Sequence, residues 1–262
     1  MADAENQAGQ GDAEQSRPFV VPCRDLDAGA PWRWLRAGWR DLRQAPGLSL
    51  IFGGVIVVIS VLIALLAWQL GRFALLATLL SGFVFIAPLI CVGLYCVSRA
   101  LERGHAPRLA DSFILARRVL GQAAVFALGQ GVIILLWSRA GMVITALSPV
   151  VEGDTLALVE YLAIGTVVGG IFALLTFAVA VVALPLIADR DVDMVTAGIS
   201  SVNAVLRNKW VMVLWAAIIV VLTVIGFATA FIGLGIVMPW LAYASWHAYR
   251  ETLQPDDWPE LP

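Results

Sequence analysis

Charged residues are missing from several long stretches of this sequence. Asp, Glu, Lys and Arg make up only 14% of the 262 residues, and none of them occurs between Lys209 and Arg250. Four further windows are equally free of charge: Gln44–Gly71, Phe73–Ser98, Val119–Ser138 and Tyr161–Ala188. A helix needs about 20 mostly apolar residues to cross the ~30 Å hydrocarbon core of a bilayer. Together with 60% hydrophobic residues and a mean hydropathy of +0.87, these windows exclude an ordinary soluble domain and predict an all-α membrane protein.

Cysteine and histidine are scarce, which argues against redox, haem and metal chemistry. Cys91 and Cys96 have neither a Cys-x-x-Cys nor a zinc-ligand spacing, and with Cys23 they make an odd set. We expect all three to be small apolar packing residues without a structural disulfide. His105 lies in a polar loop and His247 at the end of an apolar window, whereas haem ligation needs histidines that face inward from within the spans. We therefore expect neither a cofactor nor a bound metal ion.

Catalytic motifs are also absent from the sequence. It contains no Gly-rich phosphate loop, no Ser/His/Asp set in a shared motif and no basic-aromatic nucleic-acid module. The Asp-x-Asp-x-Asp run at residues 189–193 resembles the start of a calcium loop, but Met194 and Ser200 stand where such a loop needs Gly and Glu. No ionisable residue lies in the central part of any apolar window, as a proton pump would need. The sequence predicts a protein that is not an enzyme and does not bind nucleic acid.

The apolar windows predict six transmembrane helices with both termini in the cytoplasm. Their approximate bounds are 48–68, 73–98, 119–138, 160–188, 210–228 and 231–249. One helix over 210–249 would be about 60 Å long, twice the hydrocarbon thickness, so the glycines within 226–235 indicate a turn. In this topology every basic residue except Arg72 and Arg139 lies on the cytoplasmic side, which satisfies the positive-inside rule. The predicted location is the inner membrane of a bacterial cell.

The membrane domain is predicted to cover residues 31–252. Residues 1–30 place several carboxylates among Ala, Gly and Gln, which predicts a disordered acidic tail rather than a signal peptide. Residues 253–262 are predicted to form a short C-terminal tail.

An internal repeat is visible within the membrane domain. Short helical segments with basic residues precede alternate spans, at residues 32–43, 109–118 and 194–209. Each return span contains a proline in a similar setting: Pro88, Pro185 and Pro239. We interpret the pattern as three repeats of an interfacial helix followed by a transmembrane hairpin.

The first of these short helices has the pattern of a helix that lies in the membrane interface. Apolar side chains recur at helical spacing, and arginines follow one position later: Trp32, Leu35, Trp39 and Leu42, then Arg33, Arg36, Arg40 and Arg43. Such a pattern predicts contact between the arginines and anionic lipid headgroups. The alternative is an ordinary juxtamembrane segment that obeys the positive-inside rule.

Polar residues at the ends of the fourth and sixth spans predict an interhelical clasp. The predicted topology brings these residues to one membrane face: Asp189, Arg190, Asp191, Asp193, His247 and Arg250. Pairing of the acidic residues with His247 or Arg250 would stabilise the two span ends against each other. The alternative is that these are flanking charges, each solvated alone.

Three segments carry a resemblance to a known family: residues 184–193 (Leu-Pro-Leu-Ile-Ala-Asp-Arg-Asp-Val-Asp), Ser200-Ser201, and residues 246–250 (Trp-His-Ala-Tyr-Arg). Through them the chain resembles, over about residues 30–252, a family of bacterial integral membrane proteins known as a domain of unknown function. The resemblance implies a six-span inner-membrane protein. It implies no substrate, activity or site residue.

The function predicted from these features is that of a non-enzymatic accessory or scaffold protein. It would contact membrane lipid and another membrane protein. The alternative is a transporter or carrier for a small or lipid-like molecule. A carrier should enclose a wet cavity reached by Gln122 or Gln130, whereas a scaffold should pack solidly.

Overall fold

The computed structural model describes residues 18–70, 90–147 and 155–261, and within these ranges it contains helices but no extended strand. The helices are α1 (Ala30–Gln44), α2 (Pro46–Leu70), α3 (residues 90–102), α4 (Leu109–Arg118), α5 (Leu120–Leu147), α6 (Thr155–Ala180), α7 (Ala183–Asp189), α8 (Met194–Arg207), α9 (Lys209–Ala228) and α10 (Leu234–Thr252). The all-α fold that the apolar windows predict is confirmed for this part of the chain.

Four described segments are long and apolar enough to cross a membrane: Pro46–Leu66, Leu120–Leu147, Thr155–Asp189 and Lys209–Ala228. They correspond to the first, third, fourth and fifth predicted spans. The second predicted span, 73–98, lies outside the described residues as far as residue 89, and its remainder belongs to α3. Helix α10 occupies the position of the sixth predicted span. It is not among the four, and its sequence is less apolar than theirs, with His247, Arg250 and Glu251 in its C-terminal half.

The three predicted interfacial helices are all helical in the structure. Helices α1, α4 and α8 are each separated from the following long helix by a single residue: Ala45, Val119 and Asn208. The prolines of the three predicted return spans lie in different settings. Pro185 lies in the first turn of α7, where proline is tolerated, whereas Pro239 lies inside α10 and Pro88 falls outside the described residues. The threefold repeat as a whole therefore stays a prediction.

The core is built around α10, which packs against α1 and α2. The largest fully buried side chains of the core are aromatic: Trp34, Trp215, Tyr243, Trp246 and Tyr249. Glycines allow the helix backbones to approach closely. A Cβ atom on Gly38 would lie 2.6 Å from the backbone nitrogen of Ala244, and one on Gly53 would overlap the carbonyl oxygen of Gly235. Close backbone contact through small residues is typical of helix packing in membranes.

A tight turn joins α9 to α10. It lies in the region where the glycines of the sequence predict a turn. Ala230 and Phe231 have φ angles of 52° and 69°, in the left-handed region that favours glycine. The Thr229 hydroxyl donates to the carbonyl oxygen of Gly226 at 2.8 Å and accepts from the Gly233 N–H at 2.8 Å. These bonds satisfy backbone groups at the end of α9 and fix the reversal of the chain.

Residues 18–29 differ from the disordered tail that the sequence predicts for residues 1–30. Val21 is fully buried, and its N–H donates to the Ser200 hydroxyl at 2.9 Å. Buried apolar surface and satisfied backbone groups let this part of the segment pack against the helices despite its acidic composition. Residues 1–17 lie outside the described part of the chain.

Residues 253–261 also pack on the bundle rather than forming a free tail. Leu253 and Trp258 are 1% and 5% exposed, because both cover apolar side chains of the core. The Arg24 N–H donates to the Thr252 carbonyl oxygen at 2.8 Å, so the two terminal segments lie side by side. We call the end of the bundle where residues 18–29 and 253–261 meet the polar end.

Candidate functional site

Asp189, the last residue of α7, lies at the centre of a buried charge cluster at the polar end. It is 2% exposed, and three guanidinium groups surround its carboxylate. Arg99 Nε lies 3.3 Å from Oδ1, Arg190 Nε lies 3.3 Å from Oδ2, and Arg250 Nη1 lies 3.5 Å from Oδ2. The Tyr249 hydroxyl donates to Oδ2 at 2.8 Å. A buried carboxylate needs such partners, because an unpaired charge in the interior is costly.

A second layer of contacts surrounds Arg250. Its Nε donates to Glu102 Oε1 at 3.1 Å, and the Trp246 indole N–H donates to Glu102 Oε2 at 2.9 Å. Burial works to lower the pKa of Arg250, but the charges of Glu102 and Asp189 outweigh it and raise that pKa. Residues of α3, α7 and α10 are thereby joined in one hydrogen-bonded network.

The C-terminal segment closes this cluster from outside. Arg190 Nη1 donates to the Trp258 carbonyl oxygen at 2.8 Å, and its Nη2 lies 3.3 Å from Glu260 Oε1. The Leu261 N–H donates to the carbonyl oxygen of Asp189 at 2.9 Å. Every one of these contacts joins residues far apart in sequence, so the cluster depends on the tertiary fold.

A separate buried carboxylate, Asp41 of α1, was missed by the sequence analysis. It is 3% exposed. The Ser98 hydroxyl donates to Asp41 Oδ2 at 2.8 Å, and His247 Nε2 lies 2.7 Å from the same oxygen. A signal was available in the sequence, because Asp41 follows Trp34 and Gly38 on one helical face, and that face is the buried one.

The residues of the predicted clasp are only partly brought together. Asp189, Arg190 and Arg250 meet in the cluster, whereas His247 contacts Asp41 instead. Asp193 is the N-cap of α8, where its carboxylate accepts from the Val195 and Thr196 N–H groups at 2.9 and 3.0 Å. Burial alone would raise the pKa of Asp193, but these hydrogen bonds lower it. The side chain of Asp191 is exposed, and its N–H donates to the Pro259 carbonyl oxygen at 2.9 Å.

The four arginines proposed to contact lipid fall into two groups. Arg33 bonds Asp27 at 2.6 Å and also pairs with Glu251, so it is engaged within the protein. The other three are exposed and make no ion pair within the described part of the chain: Arg36, Arg40 and Arg43. The Arg43 guanidinium lies over the Trp39 ring, 5.5 Å from its centroid. Contact between these arginines and anionic lipid stays a prediction.

The apolar face of α1 lies mostly against protein. Leu35 is buried, and the Trp39 ring meets the Trp240 ring edge-to-face at 5.0 Å. Trp32 remains 58% exposed. The helix that the spacing predicts is therefore present, but α10 occupies much of the face that was expected to enter the lipid.

The two glutamines proposed to mark a wet cavity are absent from the linings of the two cavities described below. Gln122 Oε1 accepts from the Met194 N–H at 2.9 Å, at the start of α8. Gln130 is 8% exposed, and its Oε1 is buried without a hydrogen-bond partner.

An apolar cavity of about 530 Å³ lies instead between α2, α3, α9 and α10. Its lining is mostly aliphatic and aromatic, with hydroxyl groups at four positions: Ser60, Tyr95, Thr223 and Ser245. The volume falls within the range of about 300–1,000 Å³ that is typical of small-molecule sites. Among the described residues, no three His, Cys, Asp or Glu side chains are grouped so that they could hold a metal ion.

Comparison with known proteins supports the membrane assignment. Residues 75–189 match the model of a family described as Predicted integral membrane protein (DUF2189), a domain of unknown function. The match is shorter than residues 30–252, over which the resemblance was expected, and it ends at Asp189. No curated protein and no solved structure matched the chain. Residues 75–189 of the chain are thus similar to the DUF2189 family of predicted integral membrane proteins.

Proposed function

We propose that this protein is a non-enzymatic, lipid-binding accessory protein of the bacterial inner membrane. The observation that carries the proposal is the apolar cavity of about 530 Å³ between α2, α3, α9 and α10. The Ser and Thr hydroxyls in its lining can bond the carbonyl groups of their own helices, as such residues in membrane helices commonly do. The cavity therefore suits a hydrocarbon chain better than a polar solute.

Six spans with both termini in the cytoplasm are part of the proposal. The two terminal segments hydrogen-bond each other, through Arg24 to Thr252 and through the Gln254 N–H to the Pro22 carbonyl oxygen at 2.9 Å. Chain ends that touch lie on one side of the membrane, which requires an even number of crossings. The four apolar segments, α10 and the predicted span at 73–98 supply six. The basic residues favour the cytoplasm for the side that holds the ends.

Native mass spectrometry of the purified protein tests lipid binding. Ala64 of α2 lines the cavity, so Ala64→Phe should fill part of it and reduce the fraction of protein that retains lipid. Leu62→Phe is the matched control, because Leu62 lies on the same helix, is 52% exposed and does not line the cavity. Equal lipid retention by wild type and Ala64→Phe would contradict the proposal.

A carrier for a lipid-like molecule is the second candidate, and the same cavity favours it. Movement of a fluorescent lipid between the leaflets of proteoliposomes separates the two functions. An accessory protein should leave this movement at the rate of empty liposomes, whereas a carrier should accelerate it and Ala64→Phe should abolish the acceleration. Cross-linking followed by protein identification tests the proposed membrane-protein partner.

A further inference from the structure

A second cavity, of about 310 Å³, lies at the polar end between α3, α4 and the loop that joins them. Helix α3 contributes Leu94 to the apolar cavity and Arg99 to this one, and no described residue lines both. The lining is basic: Arg99, Arg103, His105 and Arg118, with Asp111 as the acidic member. His105, which lies in the polar loop between α3 and α4, is thus part of a basic cavity.

An anion of the protein itself already contacts this cavity. Glu260 pairs with Arg103, and both side chains are largely solvent-accessible, at 54% and 39% exposure. Ion pairs between exposed groups contribute little to stability, because water solvates both partners well. An incoming anion can therefore replace the carboxylate of Glu260 at Arg103, and Glu260 Oε1 still has Arg190 Nη2 as a partner at 3.3 Å.

Arg99 adds a buried positive charge to the lining, and its Nη2 donates to the Leu261 carbonyl oxygen. Its side chain is 9% exposed, and its Nε is buried without a hydrogen bond, although Asp189 lies within ion-pair distance at 3.3 Å. Burial lowers the pKa of Arg99, and the neighbouring charge of Arg103 lowers it further. A further negative charge in the cavity would offset both effects.

We propose that this cavity binds a phosphate group, which either an anionic phospholipid headgroup or free phosphate can supply. Arg103, His105 and Arg118 are the proposed donors, and Glu260 is the competitor that a ligand displaces. Several N–H donors around a compact space suit a phosphate, which offers multiple acceptor oxygens. The inference goes beyond the proposed lipid-binding function and does not depend on the apolar cavity.

The test measures dissociation constants for the full chain in detergent, with three probes. These are inorganic phosphate, short-chain phosphatidic acid, and the matching diacylglycerol, which lacks phosphate. Arg118→Gln should raise the Kd of the phosphate-bearing probe about tenfold, the loss expected for one charge-assisted hydrogen bond. Arg117→Gln is the matched control, because Arg117 is adjacent, exposed and outside the lining. It should leave the Kd unchanged.

The probes distinguish the two sources of phosphate. Tight binding of phosphatidic acid with weak binding of inorganic phosphate supports the headgroup, and comparable binding of both supports free phosphate. Equal losses in Arg117→Gln and Arg118→Gln, or equal binding of diacylglycerol, would overturn the site. Glu260→Gln provides a second measurement, because removing the competitor should lower the Kd by up to about fivefold. A higher Kd in this variant would overturn the displacement.

Discussion

The carboxylate of Asp189 lies 3.5 Å from Nη1 of Arg250, and the two residues are 61 positions apart in the chain. This contact connects the end of α7 to the last turn of α10. Arg99 and Arg190 approach the same carboxylate, each at 3.3 Å. One buried carboxylate thus pairs with three guanidinium groups. Its removal should leave all three of these positive charges without this partner.

Asp189→Asn should lower the free energy of unfolding by about 3–5 kcal/mol, the usual cost of breaking a buried ion pair from one side. Thermal melting in detergent measures the loss. Asp191→Asn is the control, because the exposed Asp191 makes its contact through its backbone N–H, and its melting temperature should match that of the wild type.

Coupling between Asp189 and Arg250 can be measured with a double-mutant cycle. Arg250→Gln should cost less in the Asp189→Asn background than in the wild type, since the carboxylate it serves has gone. Additive losses would show that Glu102, rather than Asp189, is the partner that matters to Arg250.

The sequence predicts the helices well because their signals are local. Charge-free windows locate α2, α5, α6 and α9, and the spacing of aromatic residues and arginines locates α1. The glycines within residues 226–235 also predict the position of the turn between α9 and α10. Each of these features depends on residues within a few turns of one another.

The site could be predicted only in part because its contacts join distant segments. Flanking charges at two span ends suggested that Asp189 and Arg250 meet, but nothing local shows that His247 contacts Asp41. Nor does the composition of residues 253–261 reveal that this segment closes the cluster. Hydrophobic periodicity indicates that a face is buried without saying whether lipid or another helix covers it, which is why the apolar face of α1 was assigned to lipid.

Gly53 and Gly54 are adjacent on α2 but should respond oppositely to the same substitution. A Cβ on Gly53 would overlap the carbonyl oxygen of Gly235 and lie 2.8 Å from its carbonyl carbon, whereas one on Gly54 has no atom within 4 Å. Gly53→Ala should therefore destabilise the protein by about 1–3 kcal/mol. Gly54→Ala should be neutral or stabilise it by up to about 1 kcal/mol. Equal melting temperatures for the two variants would mean that α2 and α10 do not touch here.

Asp193 should stabilise α8 in a pH-dependent way. Removing the N-cap in Asp193→Ala should cost about 1 kcal/mol at neutral pH. The folded state lowers the pKa of Asp193 below its unfolded value of 3.8, so its contribution is fully present above that value and is lost as the pH falls through the folded pKa. The difference in melting temperature between wild type and Asp193→Ala should therefore shrink at acidic pH. Asp193→Asn, which keeps an acceptor without a charge, should retain most of the stability at neutral pH.

Ala230→Gly should stabilise the protein, against the usual effect of introducing glycine. Ala230 has a φ of 52° and is exposed, so the substitution relieves a left-handed conformation and removes little buried surface. That conformation costs about 1–2 kcal/mol for a residue with a Cβ atom, part of which is offset by the greater freedom of glycine in the unfolded chain. The same change at Ala217, an exposed position inside α9, should instead cost about 1 kcal/mol. If the melting temperature rises for Ala230→Gly and falls for Ala217→Gly, the strain lies at the turn between α9 and α10. If it falls for both variants, Ala230 has an ordinary helical conformation.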